Sequence, residues 1–424
     1  MIDNRPTSPA ASTDAPGLRA FVFALFFIFG GITSLNDVII PKLKDLFTLS
    51  YTQAMLVQSA FFAAYFLVSI PAAAIVRRLG YMRGAVVGLL TMTAGCLLFI
   101  PASSSGLFVT FLAALFVLAS GITIVQVVAN PLISMLGRPA TAPSRLTFAQ
   151  AFNALGTTVF PYVGSILILG TLATVDPATL SGAALDAFRA EETQVVVRTY
   201  IGLALALLVV AGLVWANRNK LAEEAVPHTS ILAAFTLLRQ RRFAFGALCI
   251  FLYVGGEVAV GSLVVNYLME ADVMGLGAEA AGQHVTLYWG GAMVGRFIGA
   301  ALLRLVAPGK VLMGAAAMVI ALLLVSANSS GPVSGWSLLA VGLFNSIMFP
   351  TIFSLACEGL GKRAAEGSGL ICMAIVGGAI VPLLTGYVAD LSSLKVALAV
   401  PLACYAVILA FGWSTRRPVS AARD

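Results

Sequence analysis

Two carboxylates stand where charge is costly. Asp37 and Glu257 lie inside long apolar runs, whereas the other sixteen of the eighteen acidic residues fall in tails, loops or run ends. A charge held in a lipid core costs about 2.5–3.5 kcal/mol on insertion scales, so such a group is a functional candidate by default. A carboxyl there can carry a proton. Asp37 also has Ser34 and Thr33 three and four residues before it, on one helical stripe. The same three oxygens could instead hold a sodium ion. The alternative for Asp37 is a helix that ends early, with the carboxylate in water beside Pro41 and Lys42. Glu257 follows Gly255 and Gly256, which allow close packing or a break; its alternative role is a packing or gating carboxylate.

Uncharged polar residues form a second set. Gln126 shares a stripe with Thr123 and Asn130, and Gln150 shares one with Asn153 and Thr157; Asn345 stands in a later run. Carboxamides donate and accept without charge, which suits a ligand bearing many hydroxyls. The competing reading is interhelical hydrogen-bond glue, worth about 0.6 kcal/mol per contact. Sugars also need an apolar platform. Tyr288, Trp289, Tyr65 and Phe152 are candidates, with Gln58 on the face of Tyr65. Arg296 is the one deep base, and its bland role is a tie to carbonyls or to an acid. Two histidines and five cysteines without paired spacing give no metal site, disulfide or cofactor site.

The elements that must carry these residues are membrane helices. Of 424 residues, 60% are apolar and 10% charged. Soluble domains run near 45–50% and about 25%. A soluble enzyme and a nucleic-acid binder are thereby excluded, despite a net charge of +7. About 20 apolar residues span a bilayer. Twelve such runs occur, near 19–41, 52–76, 83–101, 106–136, 145–171, 193–216, 243–269, 280–305, 310–328, 333–358, 365–389 and 395–415. With twelve spans both termini share one side. That side collects nineteen Lys and Arg against five on the other, so both termini are expected in the cytoplasm of a bacterial-type inner membrane. The expected division is a disordered tail (1–18), a six-helix bundle (19–216), a cytoplasmic linker (217–242), a second bundle (243–416) and a short tail (417–424).

The two bundles read as copies. Pro131 and Pro350 are 219 residues apart, Pro161 and Pro382 are 221 apart, and the basic turn at Arg77 has a weaker counterpart at Arg304. A parallel 6+6 repeat is the layout of major facilitator transporters. At that spacing Gln126 maps onto Asn345, and Asp37 maps onto Glu257 at an offset of 220. The expectation is one carboxylate and one carboxamide at equivalent depths in each half. The fold class is thus an all-α membrane protein of twelve transmembrane helices related by a pseudo-twofold.

These residues resemble the fucose–proton symporter family of the major facilitator superfamily, and within it the glucose/galactose transporter branch. The resemblance covers about 20–415. It rests on Leu35-Asn36-Asp37-Val38-Ile39-Ile40-Pro41, Gln126-Val127-Val128-Ala129-Asn130-Pro131 and Tyr253-Val254-Gly255-Gly256-Glu257-Val258. Further segments are Tyr288-Trp289-Gly290-Gly291, Gly295-Arg296-Phe297 and Phe349-Pro350-Thr351-Ile352-Phe353-Ser354. The resemblance implies import of a neutral monosaccharide by cation symport and alternating access, with Asp37 as coupling residue and Gln150 and Asn153 at the sugar. In the fucose branch a glutamate stands where this chain has Gln126; the glucose/galactose branch is similar in having Gln there and Glu at 257. The superfamily's acidic residue in the loop after the second helix is missing from Arg77-Arg78-Leu79-Gly80. The cytoplasmic latch is therefore altered.

The resulting expectation is a monomeric transporter, not an enzyme, importing a glucose/galactose-type hexose with a proton or sodium. Its ion-coupling candidates are Asp37 and Glu257. Its substrate candidates are Gln126, Gln150, Asn153, Asn345, Tyr65, Gln58, Tyr288, Trp289 and Asn130. Any sodium would sit at Asp37, Thr33 and Ser34. The alternative is an exporter of drugs or metabolites on the same fold, which would want a larger and less polar cavity.

Overall fold

Each apolar run becomes helix, because a backbone in lipid must satisfy its own hydrogen bonds. The computed structural model describes residues 16–47, 51–105, 107–164, 182–219 and 231–416. The tails, residues 220–230 of the linker, and the side chains of 35–58 lie outside the described residues. The first half holds α1 (Pro16–Phe47), α2 (Tyr51–Leu79), α3 (Tyr81–Ser105), α4 (Phe108–Met135), α5 (Ala142–Gly164) and α6 (Ala183–Ala216). The second begins with α7 (Arg241–Met269), α8 (Ala278–Leu305) and α9 (Pro308–Asn328). Its last three spans are each interrupted: α10 (Pro332–Asn345) with α11 (Met348–Ala356), α12 (Ala364–Ala374) with α13 (Gly377–Leu391), and α14 (Leu394–Ala397) with α15 (Ala399–Ser414). The described segments thus make twelve spans.

Ten of them are long and apolar enough to cross a membrane by themselves among the described residues. The first contributes a shorter apolar stretch, Arg19–Ser34. The fifth is less apolar because α5 carries Arg145, Thr147, Gln150, Asn153, Thr157 and Thr158. Such a helix needs polar neighbours or a polar cavity.

The repeat is visible in the packing. In the first half α1 packs on α5, α2 on α4, and α3 on α4 and α6. In the second half α7 packs on α13, α8 on α10, and α9 on α10 and α15. The halves meet through α2 against α12 and α5 against α8, which exchange under the same pseudo-twofold.

Glycines fix the register of the first helix in each half. A Cβ at Gly156 would strike the Phe27 carbonyl and the Gly31 amide of α1; a Cβ at Gly377 would strike the Phe251 carbonyl of α7, and one at Gly255 the Gly377 carbonyl. Phe27 therefore corresponds to Phe251 and Gly31 to Gly255, both at an offset of 224. This corrects the expectation that Asp37 and Glu257 are equivalent. At an offset of 224, Glu257 corresponds to Thr33 and Asp37 to Gly261. The two carboxylate positions are one turn, about 6 Å of rise, out of step. The repeat spacing is not uniform, because loops of unequal length shift the first helices relative to the fourth.

Proline places one break. The Pro350 ring has no N–H to donate and crowds the carbonyl four residues back, at Ser346. Helix α10 ends at Asn345 and α11 starts at Met348. Pro131 sits inside α4 without ending it. The linker is not wholly irregular: Ile231–Arg239 forms a 3-10 helix, and the Arg363 guanidinium donates to the Ala233 carbonyl (2.9 Å) and the Thr236 hydroxyl (2.9 Å).

Candidate functional site

In the N-terminal half the buried polar groups bond one another. Tyr65 on α2 donates its hydroxyl to Oε1 of Gln126 on α4 at 2.8 Å, and both side chains are buried. Tyr65 is thus a tether for the carboxamide as well as a ring. Asn130, one turn further, is buried with neither amide atom meeting a protein partner. On α5, Gln150 is buried, and Asn153 donates to the Phe26 carbonyl of α1 at 3.3 Å. Phe152 stacks on Phe23 of α1 with centroids 5.1 Å apart, so its ring face is used in packing. The Thr33 and Ser34 hydroxyls donate back to the Phe29 (2.7 Å) and Gly31 (2.9 Å) carbonyls of their own helix. The Asp37 and Gln58 side chains lie outside the described residues.

The C-terminal half repeats the tyrosine–carboxamide pair on the corresponding helices. Asn345, at the end of α10, donates its Nδ2 to the Tyr288 hydroxyl of α8 at 3.0 Å. The Tyr288 hydroxyl reaches the Glu257 carbonyl of α7 at 3.3 Å. The break after Asn345 leaves that residue's carbonyl without the usual helical partner, and the Tyr253 hydroxyl donates to it at 2.9 Å. Trp289 is 46% exposed and sets its ring edge-on to Tyr288, 5.1 Å between centroids.

Charge distinguishes this half. Glu257 on α7 and Arg296 on α8 sit beside the Tyr288–Asn345 pair, and the guanidinium acts electrostatically on the carboxylate. Four buried atoms here meet no protein partner: Glu257 Oε1, Arg296 Nε, Asn345 Oδ1 and the Tyr405 hydroxyl. Such atoms are uncommon in folded proteins and each calls for an explanation. Neither Tyr253 nor Tyr405 is a site candidate from sequence, Tyr253 entering only within the segment around Glu257. A tyrosine one turn before Glu257 was the signal for Tyr253; Tyr405, on the last span, offered none.

Two contacts join the halves toward the end that bears the basic loops. Arg77 of α2 pairs with Glu366 of α12 at 2.7 Å, and Arg363 holds the other oxygen of Glu366 at 2.8 Å. The Arg77 and Glu366 side chains are only 10% and 4% exposed. The pseudo-symmetric contact has no carboxylate: Ser144 of α5 donates to the Ala300 carbonyl of α8 at 2.6 Å, and Arg304 Nε donates to the Ser144 hydroxyl at 3.3 Å. The altered loop after the second helix therefore has a partner in the other half, where sequence gave no reason to single out Glu366. A cavity of about 1400 Å³ opens at this end, bordered by Arg78, Arg83, Arg242, Arg304 and Lys362. It is a basic mouth, and its lining does not include Tyr65, Gln126, Tyr288 or Asn345.

Residues 22–375 match the model of the Major Facilitator Superfamily. The chain is 47% identical to a glucose/galactose transporter of Brucella abortus (biovar 1, strain 9-941), over 97% of this chain and 98% of that protein. It is 33% identical to the L-fucose-proton symporter of Escherichia coli (strain K12), over 95% of each chain. A crystal structure of a major facilitator transporter, FucP, in the outward conformation superposes with a TM-score of 0.87 at 32% identity, covering 94% of this chain and 99% of that one.

Proposed function

The chain belongs to the Major Facilitator Superfamily, and from that premise we propose that it imports a neutral hexose of the glucose/galactose type together with a proton. The observation that carries the reading is the recurrence of one uncharged unit, Tyr65–Gln126 and Tyr288–Asn345, on the corresponding helices of both halves. These units offer donors and acceptors without net charge, which is what a polyhydroxylic neutral ligand requires. Gln150, with its amide on the less apolar α5, and Asn130 add further polar groups. Gln58 and Trp289 are assigned to the same ligand.

Accumulating a neutral sugar needs a second species that carries the driving force. Asp37 and Glu257 are the deep carboxylates able to exchange a proton, with Asp37 the first choice. A proton is chosen over sodium because a relative is named as a proton symporter. The basic end faces the cytoplasm by the Lys and Arg asymmetry, which puts both termini there and the protein in a bacterial inner membrane. The halves joined by Arg77–Glu366 and Ser144–Ala300 then represent the state closed to the cytoplasm. Transport breaks these contacts and makes others at the opposite face. The protein works as a monomer, six helices on each side of the site.

The test is uptake of labelled glucose, galactose, mannose, fructose and N-acetylglucosamine into proteoliposomes of the full chain. Inward proton and sodium gradients are imposed separately. Glucose or galactose should accumulate under the proton gradient alone. Accumulation only with sodium would refute proton coupling, and no uptake of any hexose would refute the substrate.

A further inference from the structure

We infer that Glu257 and Arg296 form a charge-balanced clamp that binds the transported molecule, so that Arg296 is a substrate-binding residue of the C-terminal half. The inference rests on the reading of the substrate as a neutral monosaccharide. It starts from where the two residues stand. Glu257 lies sixteen residues beyond the start of α7 at Arg241, about 24 Å of rise from the basic end. Arg296 lies nine residues before the end of α8 at Leu305, about 14 Å from the same end. Side chains on a helix lean toward its N-terminus. The two helices run in opposite directions, so Glu257 leans toward the basic end and Arg296 away from it. The groups therefore converge in height.

They converge without closing on each other. No ion pair within 4 Å joins Glu257 to Arg296, although the two interact electrostatically. Both side chains are only half-buried, deep in the bundle. Among the described residues, the buried Glu257 Oε1 and Arg296 Nε have no hydrogen-bond partner. Tyr253 hydrogen-bonds the carboxylate, yet a tie made for stability would also close the gap to the guanidinium, because an ion pair inside the bundle offsets its desolvation only with close geometry. The groups around the pair are Tyr253 on α7 and Tyr288 on α8, the pair's own helices, with Asn345 on α10 and Tyr405 on α15. α13 meets α7 through Gly377 and Val381.

The unmet atoms sort by hydrogen-bond type. Glu257 Oε1 and Asn345 Oδ1 accept, Arg296 Nε donates, and the Tyr405 hydroxyl does either. A ligand with adjacent hydroxyls matches that mixture, since each hydroxyl donates to one group and accepts from another. The carboxylate and guanidinium sum to zero charge, so the clamp favours a neutral ligand over an ionised one. A planar guanidinium can serve two oxygens at once, which an ammonium cannot. The clamp leaves proton exchange to Asp37.

The experiment measures equilibrium sugar affinity and counterflow, which needs no gradient, in proteoliposomes of the full chain. The probes are the hexose accumulated by the parent and its monodeoxy analogues. The variants are Arg296→Gln, Arg296→Lys, Glu257→Gln and the doubly neutral Glu257→Gln/Arg296→Gln. Each single neutral variant should weaken affinity about tenfold or more, the range expected for hydrogen bonds to charged groups. The double variant should be at least as weak. One deoxy analogue should lose affinity in the parent and lose nothing further in Arg296→Gln, or in Arg296→Lys should the former not fold. Recovery of the double variant to within twofold of the parent would overturn the clamp and leave the pair as internal charge balance. So would equal losses for every deoxy analogue in parent and variant. A parent that binds no hexose defeats the reading of the substrate instead, which separates the two failures.

Discussion

At the centre of the N-terminal half, Tyr65 and Gln126 bond each other and carry no charge; at the centre of the C-terminal half, Tyr288 and Asn345 make the same bond beside Glu257 and Arg296. The helical frames around these centres agree pairing by pairing, from α1 on α5 and α7 on α13 to α3 on α6 and α9 on α15. The backbones do not behave alike. The helix carrying Gln126 runs unbroken through Pro131, whereas the helix carrying Asn345 breaks next to it. A duplicated frame thus holds the carboxamides in place while the charges differ. The difference suggests a division of labour: coupling in the first half through Asp37, recognition in the second through a clamp that needs a fixed, neutral surround.

The two interfaces that exchange under the pseudo-twofold allow the strongest challenge to this picture. The α2–α12 contact is a buried salt bridge, whereas the α5–α8 contact is a hydroxyl-to-carbonyl hydrogen bond with Arg304 donating to the same hydroxyl. Removing one partner of a buried pair costs about 3–5 kcal/mol. Glu366→Gln should therefore shift the protein strongly toward the form open at the basic end, and Ser144→Ala should shift it by only about 1 kcal/mol. Spin-label distances between the basic ends of α2 and α12 would measure both. Equal shifts would mean that the asymmetry of charge has no mechanical consequence.

Smaller effects are expected at the polar centres. Gln150→Ala should raise the half-saturating sugar concentration about five- to tenfold, by the loss of one or two hydrogen bonds. Asn153→Ala should act less on affinity and more on stability, because its amide already bonds the Phe26 carbonyl. Thermal unfolding and counterflow on the two variants would separate these roles. Tyr65→Phe and Tyr288→Phe each remove one hydroxyl from matching pairs. The first should cost about 1 kcal/mol, and the second more, because the Tyr288 hydroxyl also meets the Glu257 carbonyl. A larger loss for Tyr65→Phe would reverse the ranking of the halves.

The smallest effect lies outside the membrane. Asp272, in the turn after α7, pairs with Lys395 at 2.5 Å, and the ammonium holds its carboxyl below the usual carboxylate range. A lowered folded-state pKa contributes stability above the unfolded value, near 4, and that contribution fades as pH falls through the folded value. Asp272→Asn should leave unfolding unchanged at pH 7 within a degree or so, since the pair is exposed. Any difference between parent and variant should vanish once the pH falls below the folded-state value.

Much of the frame was legible from residues alone. Apolar runs of about 20 residues locate the twelve spans, and the polar content of α5 marks it as a cavity helix before any contact is known. Gln126 and Asn345 were paired by the prolines that follow them, Pro131 and Pro350. The pairing of Asp37 with Glu257 failed by one turn. It matched residue types, whereas the register of the first helices is set by Gly156 and Gly377 touching backbone. Periodicity assigns a residue to a helix face but does not say which distant helix meets it. For that reason Tyr405 and Glu366 could not be joined to Glu257 and Arg77 beforehand.

The division of labour is tested most directly by two variants assayed side by side in proteoliposomes, Asp37→Asn and Glu257→Gln, for counterflow and for proton-driven accumulation of the same labelled hexose. Asparagine keeps the size and hydrogen bonding of the aspartic acid but does not titrate. Asp37→Asn should retain counterflow and lose accumulation, while Glu257→Gln should lose counterflow through weakened binding. Full accumulation by Asp37→Asn, or intact counterflow with lost accumulation in Glu257→Gln, would contradict the account and place the coupling proton in the C-terminal half.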